Sequence, residues 1–245
     1  MQKERMHTVQ TQGQRGQGVA AKAVVRFAVF LAFTVAVPLV AAGRPDWWPA
    51  WILVAINLVS VAVSRIIPAR RNPDLLAERA RASRGEGAKR WDRLLMPLVA
   101  LYGPLLTLIA AGLDERLGWQ PQVPPWAQVA AFLAIIVGSA TAAWAMISNR
   151  FFSAVVRIQK ERDHTVVSNG PYRCVRHPGY AGGMLAQLAT PLALGSLWAL
   201  IPASITVALL IVRTALEDRT LQEELAGGQL RDRAEHPGAA GRHDP

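Results

Sequence analysis

Four stretches of about 20 residues each, with few or no charged side chains, dominate this sequence. They cover residues 24–42, 47–67, 94–113 and 126–148. A helix of this length that is apolar on every face can cross the hydrocarbon core of a bilayer. Hydrophobic residues make up 51% of the chain and charged residues only 18%. The sequence therefore predicts an all-α fold, a polytopic membrane helical bundle with four spanning helices.

A fifth apolar stretch, residues 181–212, is too long for one span and contains Pro191, Gly195 and Pro202. Proline removes a backbone donor and glycine permits left-handed turns, so both favour a break in a helix. We expect two short helices, broken near residues 194–196 and folded back as a hairpin. Such a hairpin returns the chain to the membrane side from which it started.

The basic residues alternate along the chain and so predict its orientation. The formal net charge is +10. Lys and Arg number nine between residues 65 and 93 and six between 150 and 176, whereas the loop at 114–125 carries only Arg116. This pattern follows the positive-inside rule, with a cytoplasmic amino terminus. We attribute the basic surface to membrane insertion and contact with anionic lipids, and we predict no nucleic-acid partner.

Composition divides the chain into four segments. We predict a disordered cytoplasmic arm (1–22), a four-helix membrane region (23–148), a core carrying the chemistry (149–225) and a disordered tail (226–245). Within the basic loop, residues 74–82 can form a short amphipathic helix. That helix is either a linker on the lipid headgroups or a lid that contacts a lipid-like substrate. The fourth spanning helix is expected to continue to about residue 163.

The densest cluster of polar and turn-forming residues lies at 169–183 and reads NGPYRCVRHPGYAGG. Three dipeptides restrict its backbone: Gly170-Pro171, Pro178-Gly179 and Gly182-Gly183. Between them stand hydrogen-bond donors and stackable rings: Tyr172, Arg173, Arg176, His177 and Tyr180. A restricted backbone that carries converging polar groups at a membrane face is typical of a small-molecule site.

The cysteine and histidine content argues against metal or disulfide chemistry. Cys174 is the only cysteine, so the chain can form neither an intrachain disulfide nor a thiolate metal cluster. The five histidines make no spacing such as HExxH. We predict no metal site.

A second motif follows the apolar hairpin: Arg213, then Glu217 and Asp218, then Leu221. Together with GPYRCVRHPGYAGG it resembles the isoprenylcysteine carboxyl methyltransferase family, which is related to the phospholipid methyltransferases. The family's patterns here are GPYxxxRHPxYxG and RxxxEExxL. The segments NPDLLAER and KRWDR are also similar to bacterial members.

The resemblance implies a cytoplasmic site for S-adenosylmethionine between the 169–183 turn and the last helix. The residues it implies for cofactor binding are Gly170, Pro171, Tyr172, Arg176, His177, Pro178, Tyr180, Gly182 and Glu217. Arg213 and Glu217 are the implied catalytic pair, one helical turn apart on one face. Arg213 would hold an acceptor carboxylate, and Glu217 would anchor either the cofactor or Arg213.

The expected acceptor is lipophilic: the carboxylate of a prenylcysteine-like compound, or another isoprenoid or lipid substrate. A carboxylate needs no base, whereas an amine acceptor, as in a phospholipid N-methyltransferase, would need His177 or Glu217 to take a proton. Two further alternatives stay open, a sterol-type reductase and a degenerate non-enzymatic membrane scaffold. The scaffold is favoured by the carboxyl-terminal tail, since no tyrosine follows Tyr180 where the family usually has two.

Overall fold

The computed structural model describes residues 32–71, 89–149 and 169–235, except for the side chains of 65, 66, 68–71 and 224–235. Apart from one isolated bridge between Gln122 and Ser196, the regular structure in these ranges is helical. A short 3₁₀ turn spans Gly170–Arg173. The helices are α1 (Ala32–Ala42), α2 (Trp48–Arg71), α3 (Arg90–Leu117), α4 (Pro125–Ser148), α5 (Pro178–Ala193) and α6 (Leu200–Glu235). The all-α prediction is confirmed.

Within these described ranges, three helices are long and apolar enough to cross a membrane: Arg90–Leu117, Pro125–Ser148 and Leu200–Glu223. The first two contain the predicted runs at 94–113 and 126–148. The segments Ala32–Ala42 and Trp48–Ser64 are shorter apolar helices. The long helices fit an integral membrane protein, but the predicted count of four spans is not confirmed.

The fifth apolar stretch breaks where the sequence predicts. Helix α5 ends at Ala193, Gly195 adopts a φ of 82°, and α6 begins at Leu200. Between them, the backbone N–H of Ala199 donates to Oγ of Ser196 at 3.1 Å, which provides a partner for an amide at the helix start.

The second half of the hairpin and the acidic helix that follows it form one continuous helix, α6. Pro202 lies in the first turn of α6, where its missing N–H needs no partner, so it does not interrupt the helix. The helix then runs without a break to Glu235. It thus extends past residue 226, where the disordered tail was predicted to begin.

Helices α4 and α5 approach each other closely through two glycines. A Cβ added to Gly182 would lie 2.3 Å from the carbonyl oxygen of Gly138, and one added to Gly138 would lie 2.5 Å from that of Gly182. Both distances are too short for any side chain. Paired glycines therefore allow the two backbones to touch, as small residues do between membrane helices.

Helix α3 contains a π-helical turn at Leu98–Tyr102, where the N–H of Gly103 donates to the carbonyl of Leu98. Pro97 and Pro104 flank this turn, and each removes one helical hydrogen bond. The wider turn allows the helix to continue through both prolines.

The buried apolar core lies toward the hairpin-turn end of the bundle. It includes Trp47 just before α2, Leu53 in α2, Phe132 and Ile135 in α4, and Leu194 in the turn after α5. The opposite end carries the polar contacts of the candidate site. The predicted arm at 1–22 and the amphipathic segment at 74–82 lie outside the described residues. The prediction that the fourth helix continues unbroken to about residue 163 is wrong, because α4 ends at Ser148 and Asn149 has an extended backbone, with φ −115° and ψ 105°.

Candidate functional site

The 169–183 turn is attached to the end of α4. Gly170 adopts a φ of 56°, and a Cβ there would lie 2.7 Å from Oγ of Ser148. Nδ2 of Asn149 donates to the hydroxyl of Tyr172 at 3.3 Å. Burial raises the pKa of Tyr172, and the negative charge of Glu217 adds to that effect. The turn thus has a defined position at the end of the bundle.

His177 connects this turn to α6. It precedes the first residue of α5, and its Nε2 lies 2.8 Å from Oδ1 of Asp218, 41 positions later in the sequence. The side chains of His177 and Asp218 are 25% and 38% exposed. The hairpin therefore folds back, and the predicted juxtaposition of the histidine-bearing turn and the acidic helix is confirmed.

Tyr180 makes the second connection, one helical turn away. Its ring stacks on His177 with centroids 5.5 Å apart and planes inclined by 11°. Its hydroxyl donates to Oε2 of Glu217 at 2.6 Å and accepts a hydrogen bond from Nη1 of Arg213. One hydroxyl thus bridges the two residues predicted as the catalytic pair, whose own closest contact is 3.9 Å.

Arg213 is buried behind this bridge. Its side chain is 3% exposed, and its Nε donates to Oδ1 of Asp92 at 2.8 Å. Asp92 lies in the first turn of α3 and is 1% exposed. Its second oxygen, Oδ2, has no hydrogen-bond partner among the described residues. A guanidinium removed from water needs such a carboxylate, so Asp92 belongs to the site.

Asp92 is a member of this cluster that was not among the site residues predicted from the sequence. One signal was available, because Asp92 stands in the KRWDR segment that leads directly into an apolar run. An ionisable residue at the start of a membrane helix is a functional candidate whose partner must be found elsewhere in the chain. The sequence alone does not identify that partner.

The other predicted residues have different surroundings. Arg176 is exposed, whereas Pro171 and Pro178 are buried. Gly182 is buried against Gly138 of α4. The turn, Tyr180 and Glu217 thus come together, while Gly182 contributes to helix packing.

Exposure separates the cluster into two layers. The side chains of His177, Asp218 and Glu217, with 19% exposure for Glu217, are partly open to the surface. Arg213 and Asp92 are closed off behind them. The outer layer places two carboxylates and the imidazole of His177 at the surface, and the inner ion pair lies behind it.

Comparison with known proteins identifies the region in which this cluster lies. The family model for the isoprenylcysteine carboxyl methyltransferase (ICMT) family matches residues 129–223. Two curated proteins from Oryza sativa, of the subspecies indica and japonica, are each named "Probable protein-S-isoprenylcysteine O-methyltransferase". Each is 35% identical over 57 residues, which is 23% of this chain and 30% of the relative. No solved structure matches.

The similarity to the rice proteins thus spans less than a third of their length, and the family model covers His177, Tyr180, Arg213, Glu217 and Asp218. The resemblance found in the sequence is confirmed by these matches. Residues 129–223 carry the pattern of the isoprenylcysteine carboxyl methyltransferase family.

Proposed function

We propose that this chain is an integral membrane methyltransferase that uses S-adenosylmethionine and acts on a lipophilic acceptor. The acceptor group is the carboxylate of a prenylcysteine-like compound or of another isoprenoid or lipid. The family match supports the reaction class. The long apolar helices support an acceptor that reaches the site from the bilayer.

The observation that carries the proposal is the pair of contacts between the turn and α6. His177 meets Asp218, and Tyr180 meets Glu217, across 41 and 37 positions of sequence. An ion pair on the surface of a single helix would contribute little to stability and would not bring distant segments together. Here a stacked pair of rings and two carboxylates from distant segments share one partly open surface, as a cofactor site requires.

The outer layer of the cluster suits S-adenosylmethionine. Glu217 and Asp218 offer acceptors for ribose hydroxyls or for an α-ammonium group, and the exposed guanidinium of Arg176 offers a partner for an α-carboxylate. The face of the His177–Tyr180 stack offers an apolar surface for adenine. When bound, the cofactor supplies an electrophilic methyl group. The protein's contribution is then position and exclusion of water.

Burial favours a positioning role for Arg213 instead of the direct acceptor contact that the sequence suggested. At 3% exposure its guanidinium is directed to Asp92 and to the hydroxyl of Tyr180. It therefore orients Tyr180, which in turn holds Oε2 of Glu217. Glu217 is the member of the predicted pair that reaches the partly open surface.

Binding of radiolabelled S-adenosylmethionine to the purified full chain in lipid nanodiscs tests the proposal. His177→Ala and Glu217→Ala should each weaken binding at least about tenfold, because each removes a group of the outer layer. Cys174→Ser is the matched control, since Cys174 is an exposed residue of the same turn. Absence of binding by the unmutated chain overturns the proposal.

Transfer is tested separately from binding. Labelled methyl groups should appear on a prenylcysteine analogue with a free carboxylate and be absent from the analogue already esterified there. Binding of the cofactor without transfer to the free carboxylate would keep the cofactor assignment and reject this acceptor class.

A further inference from the structure

A cavity of about 320 Å³ lies at the opposite end of the bundle from His177 and Tyr180. It is bounded by the start of α2, the end of α3 and the hairpin turn after α5. Helix α5 has 16 residues and a rise of 1.5 Å per residue, so the two ends lie about 24 Å apart. The lining includes Trp47, Trp48, Asp114, Trp119 and Gln128.

Asp114 is the reason to expect a ligand in this cavity. It lies in the last turn of α3, is 5% exposed and lines the cavity. Within the described ranges, no hydrogen bond or ion pair reaches its carboxylate. The carboxyl end of a helix dipole is itself negative, so the backbone of α3 adds to the cost of this buried charge. A cation in the cavity would remove that cost.

Gln128 supplies a second unsatisfied acceptor in the same wall. Its Nε2 donates to the carbonyl of Val123 at 3.1 Å. Its Oε1 is buried and has no hydrogen-bond partner in the described part of the chain. A carboxylate and an amide oxygen that both lack donors complement a group with several N–H bonds.

The nearby arginines do not balance the charge of Asp114. Arg44 lines the cavity, but its guanidinium is shared between Asp46, at 2.9 and 3.0 Å, and Glu115, at 2.9 Å. Arg116 is exposed and is not part of the lining. This region thus has three carboxylates and two guanidiniums, so its net charge is negative. The carboxylates are those of Asp46, Asp114 and Glu115, and Asp114 is the buried one.

Aromatic rings complete a wall that favours a cation. Trp47 is 3% exposed, and Trp48 and Trp119 line the same space with about half or less of their surface exposed. The faces of indole rings attract ammonium groups, most strongly when the cation is desolvated. The carboxylate would repel an anion, whereas a cation gains from its charge, from the indole rings and from both acceptors.

We propose that this cavity binds a protonated amine, a primary or secondary ammonium group carried by a free small molecule or by a lipid headgroup. The N–H bonds of the ammonium group satisfy Asp114 and Gln128, and its charge lies against Trp47 and Trp119. This site is separate from the proposed methyltransferase site, and its distance from Glu217 means that the bound amine is not the methyl acceptor. The proposal does not depend on the transferase assignment.

The test measures thermal unfolding of the purified full chain with matched probes. Propylamine should raise Tm in a concentration-dependent manner, whereas propanol, of similar size and without charge, should not. A second arm compares nanodiscs with ethanolamine-headgroup lipid against nanodiscs with glycerol-headgroup lipid. Stabilisation by propylamine identifies a free-amine site, and stabilisation by the ethanolamine lipid alone identifies a headgroup site. No effect of either overturns the proposal.

Variants show whether the effect arises in the cavity. Asp114→Asn should weaken amine binding by about 30-fold or more and, without ligand, should leave Tm unchanged or raise it, because it removes a buried unpaired charge. Glu223→Gln is the control, since it removes an exposed carboxylate of α6 far from the cavity. Trp119→Leu keeps both acceptors and should weaken binding by less. Equal amine-dependent shifts in Asp114→Asn and the unmutated chain would overturn the proposal.

Discussion

Arg213 and Asp92 form a buried ion pair 121 positions apart in sequence, with Nε and Oδ1 separated by 2.8 Å. The side chains are 3% and 1% exposed, so water stabilises neither charge. Asp92 therefore connects the start of α3 to the middle of α6. Arg213 also donates a hydrogen bond to the hydroxyl of Tyr180 in α5. Three helices meet at this pair.

Removal of one partner of this pair should be costly. Asp92→Ala leaves the guanidinium of Arg213 without its carboxylate, and it should lower the free energy of unfolding by about 3–5 kcal/mol. Chemical unfolding of the purified protein in detergent provides the measurement.

The double variant Asp92→Leu, Arg213→Met is the control for this first prediction. It removes both charges and should recover most of the lost stability, because the pair's own net contribution is small compared with the cost of an unpaired charge. A double variant as unstable as Asp92→Ala would contradict the argument.

Tyr180→Phe separates the hydroxyl bridge from the ring stack. The phenylalanine keeps the contact with His177 but leaves Glu217 and Arg213 without their shared hydroxyl, so stability should fall by about 1.5–3 kcal/mol. Cofactor affinity should fall further, since Glu217 loses the group that orients it. Tyr180→Leu, which also removes the ring, should reduce affinity more. Equal affinities for the two variants would mean that the stack has no part in binding.

The His177–Asp218 pair should matter for binding and not for stability. Both side chains are partly exposed, so His177→Ala and Asp218→Asn should each change the free energy of unfolding by less than about 1 kcal/mol. Labelled-cofactor binding should fall at least about tenfold in each single variant, with no further tenfold loss in the double variant, because the two residues act as one unit. Fully additive losses would show that they act independently.

Gly182 and Gly183 provide a matched comparison of packing and propensity. In Gly182→Ala the new Cβ meets the backbone of Gly138, and the forced separation of α4 and α5 should cost about 1–3 kcal/mol. In Gly183→Ala the Cβ meets nothing within 4 Å, and the better helix propensity should stabilise the protein by about 0.5–1 kcal/mol. Thermal unfolding of both variants checks the signs, and a loss of stability in Gly183→Ala would contradict the second.

Local chemistry explains what the sequence could predict. Gly195 and the small residues around it made the hairpin break visible, and the restricted 169–183 turn marked one half of the site. The spacing of Arg213 and Glu217 marked the other half. These features depend on backbone preferences and helical periodicity, which are properties of short segments.

Long-range pairing explains what the sequence could not predict. In the sequence, Asp92 is one of several charged residues at the end of a basic loop. Its partner, Arg213, is identified only by the fold. The same holds for Asp114, which reads as a loop residue and is in fact buried. The extension of α6 to Glu235 could not be predicted from composition, because the polar residues after Leu225 resemble a disordered tail.

The π turn at Leu98–Tyr102 has a consequence for the angular phase of α3. Asp92 precedes that turn, and Thr107 and Asp114 follow it. One residue corresponds to about 100° of helix rotation, so the extra residue of a π turn sets how the two ends of α3 are rotated relative to each other. A single deletion within this turn would rotate Asp92 away from Arg213 while Asp114 stayed in its cavity. One irregular turn within α3 thus sets the relative orientation of Asp92 and Asp114, which lie at opposite ends of the bundle.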